Sequence, residues 1–258
     1  MDLEIEGNVV LVTGGSTGLG YALAEQLVRE GARVGVLARD RDRLHCAAER
    51  LRGDAGQVLE LAGDVRRVED LARFVQSAND RWGRIDGVVN NAGELSAGDF
   101  AEHEDAVWHQ DLALKLMGAV RLTRLALPAL RASRGAVLNT LSISGKAPDA
   151  RSTPTSVSRA AGLALTKALS RELAGDGIRV NAVLIGVIES AQLERLALAA
   201  GITPREYYER MVADCKVPLG RVGRPHEYAE LACFLLSPRA SYLTGTAINL
   251  DGGLCPVV

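Results

Sequence analysis

Two stretches hold the residue types and spacings that could do chemistry. In VLVTGGSTGLGYALAEQL, Gly14, Gly18 and Gly20 lie between an apolar run and an amphipathic one. Missing Cβ atoms there let backbone amides approach a pyrophosphate at the positive end of a helix. Ser16, Thr17 and Leu19 fill the same loop and complete the candidate phosphate cradle. The second stretch is PDARSTPTSVSRAAG, residues 148–162, a loop turning into a helix. Thr153 can cap that helix, Pro154 suits its first turn, and Thr155 and Arg159 share a face at i and i+4. Yet no side chain in it titrates near neutral pH, so a reaction beside it needs a proton from elsewhere.

The elements that must position these stretches follow from the hydropathy rhythm. NVVLVTG, ARVGVLAR, VLELAGD, GVVNNAG, GAVLNTLS, RVNAVLIG and AINLDGG are short apolar, β-branched runs separated by longer amphipathic segments. Seven such strands with helices between them predict an α/β fold, a Rossmann-like, doubly wound, seven-stranded parallel sheet in a single domain over 1–258. Within it, 188–221 departs from the rhythm by placing two helices after one strand, the second opening on a capping box from Thr203 to Glu206 with Pro204. A helical pair after a strand's carboxyl end predicts a small lid over a ligand crevice.

Composition narrows the classes. The chain has 258 residues, 47% of them hydrophobic, and a net charge of −2, which argues against nucleic acid as a partner. No apolar run reaches the roughly 18 residues of a membrane span. The opening MDLEIEG is too charged for a signal peptide, and Cys46, Cys215, Cys233 and Cys255 show no paired spacing. The expectation is a reduced, cytoplasmic protein. His45, His103, His109 and His226 are scattered without a metal-ligand pattern, so no metal is expected. Trp82 and Trp108 sit in amphipathic stretches and are read as core.

The TGxxxGxG spacing resembles the short-chain dehydrogenase/reductase family, and the resemblance runs through nearly the whole chain. Asp64 and Val65 match the family's adenine contact, and Asn90, Asn91, Ala92 and Gly93 match its NNAG strand beside the cofactor. Arg179–Val183, Leu243–Gly245 and Asp251–Gly253 match its later blocks. Gly186 keeps the glycine of a Pro-Gly turn whose proline is replaced by Ile185, a change expected to loosen the turn beside Val187, a candidate carboxamide contact. Ser190 matches a hydroxyl near the pyrophosphate. Counting from Gly31, the position that would carry an acid for the ribose of NAD is Ala38, followed by Arg39. A guanidinium without the acid favours the 2′-phosphate of NADP(H), although Asp40 weakens the local field and NAD(H) stays open.

In this family a serine orients the carbonyl, a tyrosine is the general acid, a lysine four residues on lowers the tyrosine's pKa and holds the ribose, and an asparagine supports a water. The resemblance places Ser142 at the serine, Thr155 at the tyrosine, Arg159 at the lysine and Lys115 at the asparagine. An aliphatic hydroxyl ionises far above a phenol, and a guanidinium binds hydroxyls or an oxyanion without relaying protons. Lys115, buried beside Arg159, would have its pKa depressed and could donate the proton, or it could simply pair with Asp111. Lys146, Asp149, Tyr207 and Tyr208 are further candidates.

Three functions fit. The first is an NADP(H)-dependent reductase with a non-standard site, acting on an apolar, medium-sized carbonyl, imine or activated alkene, in a setting such as specialised metabolism. The second is a non-redox cyclase, isomerase, dehydratase or decarboxylase on the same fold, using oxyanion stabilisation. The third is a catalytically silent partner that binds cofactor or another subunit. The apolar C-terminal segment and the family's assembly habit imply a homodimer or homotetramer around a small-molecule substrate site.

Overall fold

The computed structural model describes residues 2–52 and 58–258. Its strands are β1 Val9–Thr13, β2 Arg33–Ala38, β3 Val58–Ala62, β4 Gly87–Asn90, β5 Ala136–Ser142, β6 Arg179–Ile185 and β7 Ala247–Leu250. They form one sheet in the order β3-β2-β1-β4-β5-β6-β7, every pairing parallel. The seven strands fall on the seven apolar runs, and the order is that of a doubly wound sheet.

Both faces of the sheet are covered, which is why the strands read as continuous apolar runs and not as alternating ones. Along β1 the pleat sends Val10 and Val12 into one core and Val9 and Leu11 into the other. The first core includes Leu23, Ala24 and Leu27 of α1 (Gly18–Arg29), Leu44 of α2 (Arg41–Arg52) and Ala229 and Ala232 of α9 (Pro225–Leu236). The second includes Leu71 and Phe74 of α3 (Val68–Trp82) and Leu122 and Ala126 of α5 (Gly118–Ser133). Strand order reverses between β1 and β4, which defines a crevice beyond their carboxyl ends.

The remaining helices are α4 Asp105–Leu112, α6 Thr155–Glu172, α7 Ala191–Ala199 and α8 Pro204–Cys215. α7 and α8 are the helical pair after β6, and the Thr203–Glu206 capping box with Pro204 is present. Between α4 and α5 the chain makes a π-helical turn, Ala113–Met117, with Lys115 at its centre. Such turns are uncommon and recur at functional sites. No helix among the described residues is long and apolar enough to cross a membrane.

Two local expectations are corrected. Thr153 does not cap α6, which begins at Thr155; its first amides find carbonyls instead, Thr155 N–H on Ser96 O at 3.2 Å and Ser156 N–H on Ser152 O at 2.9 Å. Ile185 does not loosen the turn after β6. It is the last strand residue, paired with Ser142 on one side and Leu250 on the other, because isoleucine fits the ladder where proline's missing N–H would not.

Candidate active site

The glycine loop is held against the sheet by Thr13. Its hydroxyl donates to Val89 O at 3.2 Å and accepts the N–H groups of Asn91 and Ala92 at 3.0 and 3.1 Å, while Asn91 Nδ2 returns a bond to Thr13 O at 3.0 Å. The end of β1 and the end of β4 are thereby locked side by side. Gly14 and Gly18 take positive φ, 69° and 57°. A Cβ on Gly20 would sit 2.3 Å from Gly14 O, whereas one on Gly18 would meet nothing within 4 Å. The loop is thus tight on its inner side and open where a phosphate would lie.

From this loop a crevice of about 500 Å³ runs along the carboxyl edge of the sheet. At one end it is walled by Ser16, Thr17, Leu19, Arg39, Arg43 and Val65; at the other by Ser142, Thr155, Arg159, Gly186, Val187 and Ser190. Gly14, Gly18, Asn91, Ala92 and Gly93 line the middle. Apolar side chains from Leu95, Leu114, Ile188, Leu193 and Met211 complete the second end. Asp64 contributes less directly. Its carboxylate is clamped by Arg66, with Nε at 2.9 and 3.0 Å and Nη2 at 2.6 Å, and the crevice wall there is Gly63 and Val65. Burial would raise the Asp64 pKa, but the Arg66 bonds outweigh it and hold the carboxyl below its ordinary value.

Thr155 and Arg159, both on α6, sit in defined places. Thr155 Oγ1 donates to Ser96 O at 2.6 Å and accepts Ser96 N–H at 3.0 Å, so the loop after β4 grips it from both sides. It also accepts a bond from Lys115 Nζ at 2.7 Å. Arg159 Nη1 donates to Thr140 O at 2.9 Å, and its Nη2 passes so close to Gly93 that a Cβ there would lie at 2.7 Å. Its Nε is buried and has no hydrogen-bond partner among the described residues. Ser142 Oγ accepts from Ser144 N–H at 3.3 Å and from Ser144 Oγ at 3.1 Å.

Lys115 does not line the crevice; it stands behind Thr155, with only 1% of its side chain exposed. Its Nζ is ion-paired with Asp111, the residue one turn earlier, whose side chain is 2% exposed. Of the two sequence alternatives for Lys115, the structure has the pairing with Asp111, and Lys115 reaches the crevice only through the Thr155 hydroxyl. Burial pulls the Lys115 ammonium down to about 8; the Asp111 bond opposes this and the Arg159 charge adds to it. Burial also lowers Arg159, to about 10, with Asp111 opposing, and the group remains a cation at neutral pH. Two cations thus share one buried carboxylate, and Asp111 Oδ2 has no hydrogen-bond partner.

The other proton-donor candidates lie elsewhere. Lys146 Nζ is tied to β7, at 2.9 Å from Asn249 Oδ1, and Asp149 is exposed on its loop. Tyr208 Oη accepts Ser190 N–H at 3.2 Å, and neither Tyr207 nor Tyr208 is on the crevice wall. Adjacent helix residues point in different directions, and α8 presents Met211 to the crevice instead. Trp82 packs against the second core and Trp108 stacks edge-on with Phe100 at 6.3 Å. Among the described residues no group of three or more His, Cys, Asp or Glu is placed to hold a metal. Sequence reasoning did not find Thr13, Ser96 or Glu94. Only Thr13 had a signal, as the residue before the first glycine; Ser96 and Glu94 act through partners 59 and 55 positions away.

The family model described as enoyl-(acyl carrier protein) reductase matches residues 14–255. An uncharacterized oxidoreductase of Mycobacterium bovis is 36% identical over 250 residues, covering 96% of this chain and 97% of that protein. L-Sorbose reductase from Gluconobacter frateurii, in complex with NADPH and L-sorbose, has a TM-score of 0.94 at 35% identity, with 100% of both chains covered. An NADPH-bound short chain oxidoreductase from Pseudomonas aeruginosa PAO1, described as containing an atypical catalytic center, has a TM-score of 0.92 at 33% identity over 97% of this chain and 98% of that one.

Proposed function

Because the chain belongs to the short-chain dehydrogenase/reductase family, we propose that it is an NADP(H)-dependent oxidoreductase in which Thr155, recharged by Lys115, supplies the proton. The observation that carries this reading is one continuous crevice from the glycine loop to Thr155, with the Lys115 ammonium 2.7 Å behind the Thr155 hydroxyl. The residues fit a dinucleotide. The loop is open at Gly18 for phosphate, Arg39 and Arg43 stand at the adenosine end, and Arg159 lines the other end, where the family places the nicotinamide ribose. Ala92, Gly93, Gly186 and Val187 would border the ring. When bound, the cofactor supplies or accepts the hydride at its nicotinamide.

The protein's own part is to bind, orient and protonate. Ser142, on the crevice wall, would orient the substrate oxygen by a hydrogen bond. Thr155 Oγ1–H would turn from Ser96 O to that oxygen as negative charge develops on it. A threonine alkoxide is too basic to persist, so Lys115 Nζ must return a proton to Oγ1 in the same event. Lys115 ends neutral beside Asp111 and regains its proton between turnovers. Arg159, a fixed cation, stabilises the oxyanion. The apolar wall of Leu95, Leu114, Ile188, Leu193 and Met211 favours an apolar, medium-sized carbonyl, imine or activated alkene, with α7 and α8 as its lid. A homodimer or homotetramer acting in the cytoplasm completes the reading.

The test is to titrate NADPH and NADP into the protein and, with a panel of such substrates, follow deuterium from C4 of labelled NADPH into product. Label in the product supports the reading. Cofactor binding and turnover without label would instead assign a non-redox reaction on the Arg159 and Ser142 wall. No binding of either dinucleotide would leave a silent partner.

A further inference from the structure

The adenosine end of the crevice contains a contact with no role in the reaction just described. Arg39 follows β2 and Glu94 lies a few residues past β4, and these strands flank β1. Their side chains meet across the carboxyl end of β1, a span of about 10 Å at ordinary strand spacing. Arg39 Nη2 donates to Glu94 Oε1, both residues line the crevice, and 51% and 56% of their side chains are exposed. Every other carboxylate near this end is committed. Asp40 accepts Arg43 N–H at 3.0 Å and pairs with the Arg43 guanidinium at 3.4 Å, and Asp64 is clamped by Arg66. Among the described residues, the Glu94 carboxylate has Arg39 as its one hydrogen-bond partner, so it serves no cap and ties down no loop.

We propose that Glu94 is a specificity-determining residue: a carboxylate of the protein that occupies Arg39 until a 2′-phosphate displaces it. The proposal rests on the NADP(H) reading of the crevice. A phosphate monoester carries about −1.5 to −2 charges near pH 7 and three acceptor oxygens, so it is a better guest for a guanidinium than a carboxylate is. A ribose hydroxyl is not, and NAD(H) leaves the Arg39–Glu94 pair in place. Affinity for NADP(H) is then a difference between two anions competing for one cation. Glu94 narrows the preference that Arg39 creates, and its removal widens it. This sign is opposite to that expected for an ordinary lining residue, whose loss weakens binding.

The experiment measures Kd by calorimetry on the full chain, using adenosine 2′,5′-bisphosphate and AMP as probes of this end alone, with NADPH and NADH beside them. Glu94→Gln should bind the bisphosphate and NADPH roughly 2- to 5-fold tighter, the scale of an exposed ion pair. AMP and NADH should change by less than that. In an Arg39→Met background the same substitution should have no effect, since the competition has lost its object. Equal or weaker NADPH binding by Glu94→Gln overturns the proposal. So does equal tightening of AMP and the bisphosphate, which would reflect only a less negative crevice. If the unaltered protein binds neither NADPH nor the bisphosphate, the cofactor reading itself fails and takes the proposal with it; a bisphosphate site indifferent to Glu94 sinks the proposal alone.

Discussion

Replacing Lys115 by methionine separates its catalytic role from its structural one, provided that Asp111 is replaced as well. With side chains only 1% and 2% exposed, Lys115 and Asp111 are each other's main source of charge compensation. Lys115→Met leaves the carboxylate buried with Arg159 as its remaining cation, and breaking such a pair costs about 3–5 kcal/mol. For a chain of this size that lowers Tm by roughly 6 to 20 °C. Lys115→Met with Asp111→Leu removes both charges at similar volume, and most of the stability should return, because a buried pair contributes little over a well-packed apolar one. Activity should not return. Loss of a positioned acid typically removes roughly 10²–10⁴ in rate, about 3–5.5 kcal/mol of barrier. The assay is single-turnover reduction with NADPH, read beside a thermal melt of each protein. A folded double variant with a single-turnover rate within about threefold of the unaltered enzyme would refute Lys115 as the proton source and leave it a structural cation.

Other expectations follow from the same geometry. The Lys115 ammonium is pulled down to about 8; reduction needs its protonated form, so kcat should be level below about pH 8 and fall roughly tenfold per unit above it, with the opposite limb for oxidation. Asp111→Asn removes an influence that raises that pKa and should move the limb to lower pH. Arg39→Met should weaken NADPH by roughly 10- to 150-fold, the value of a charge-assisted bond, and leave NADH within about twofold, as measured by fluorescence titration. Gly20→Ala places a Cβ 2.3 Å from Gly14 O, and both dinucleotides should lose measurable binding while far-ultraviolet circular dichroism persists.

The sheet was legible because its inner strands are buried on both faces, and a run such as NVVLVTG permits little else. The cofactor loop was legible because its glycines answer a local steric need, visible at Gly14 and Gly20 without reference to distant residues. The Thr203 box likewise needs only its own four residues. The start of α6 was misread because its first amide bonds a carbonyl from Ser96, a partner no local pattern names. Of the lid tyrosines, Tyr208 serves as the expected anchor, through Ser190 N–H, and neither reaches the crevice wall, because α8 turns Met211, one turn away from Tyr207, toward it. Neither the π-helical turn at Lys115 nor the Arg39–Glu94 contact has a sequence signature, since both depend on how β4 and the helix after it pack against the rest.

The substitutions around Thr155 make physical sense only as a set. In the pattern the family implies, hydroxyl and amine stand on one helix four residues apart, and the amine tunes a phenol. Here the residue four beyond Thr155 is Arg159, which cannot give up a proton at any working pH. In the proposed path the transferable proton sits instead on Lys115, which lies in the π-helical turn between α4 and α5 and reaches Thr155 from behind. A threonine in this place without Lys115 would be an inert hydroxyl. Lys115 without Asp111 would be a buried, uncompensated cation next to Arg159, driven toward its neutral form. Asp111 with neither would be a stranded carboxylate. The π-helical turn supplies the remaining requirement: it alters the local pitch at 113–117, where Lys115 lies buried between Asp111 and Thr155. The interdependence of these four is what the proposed proton path, from Lys115 through Thr155, requires.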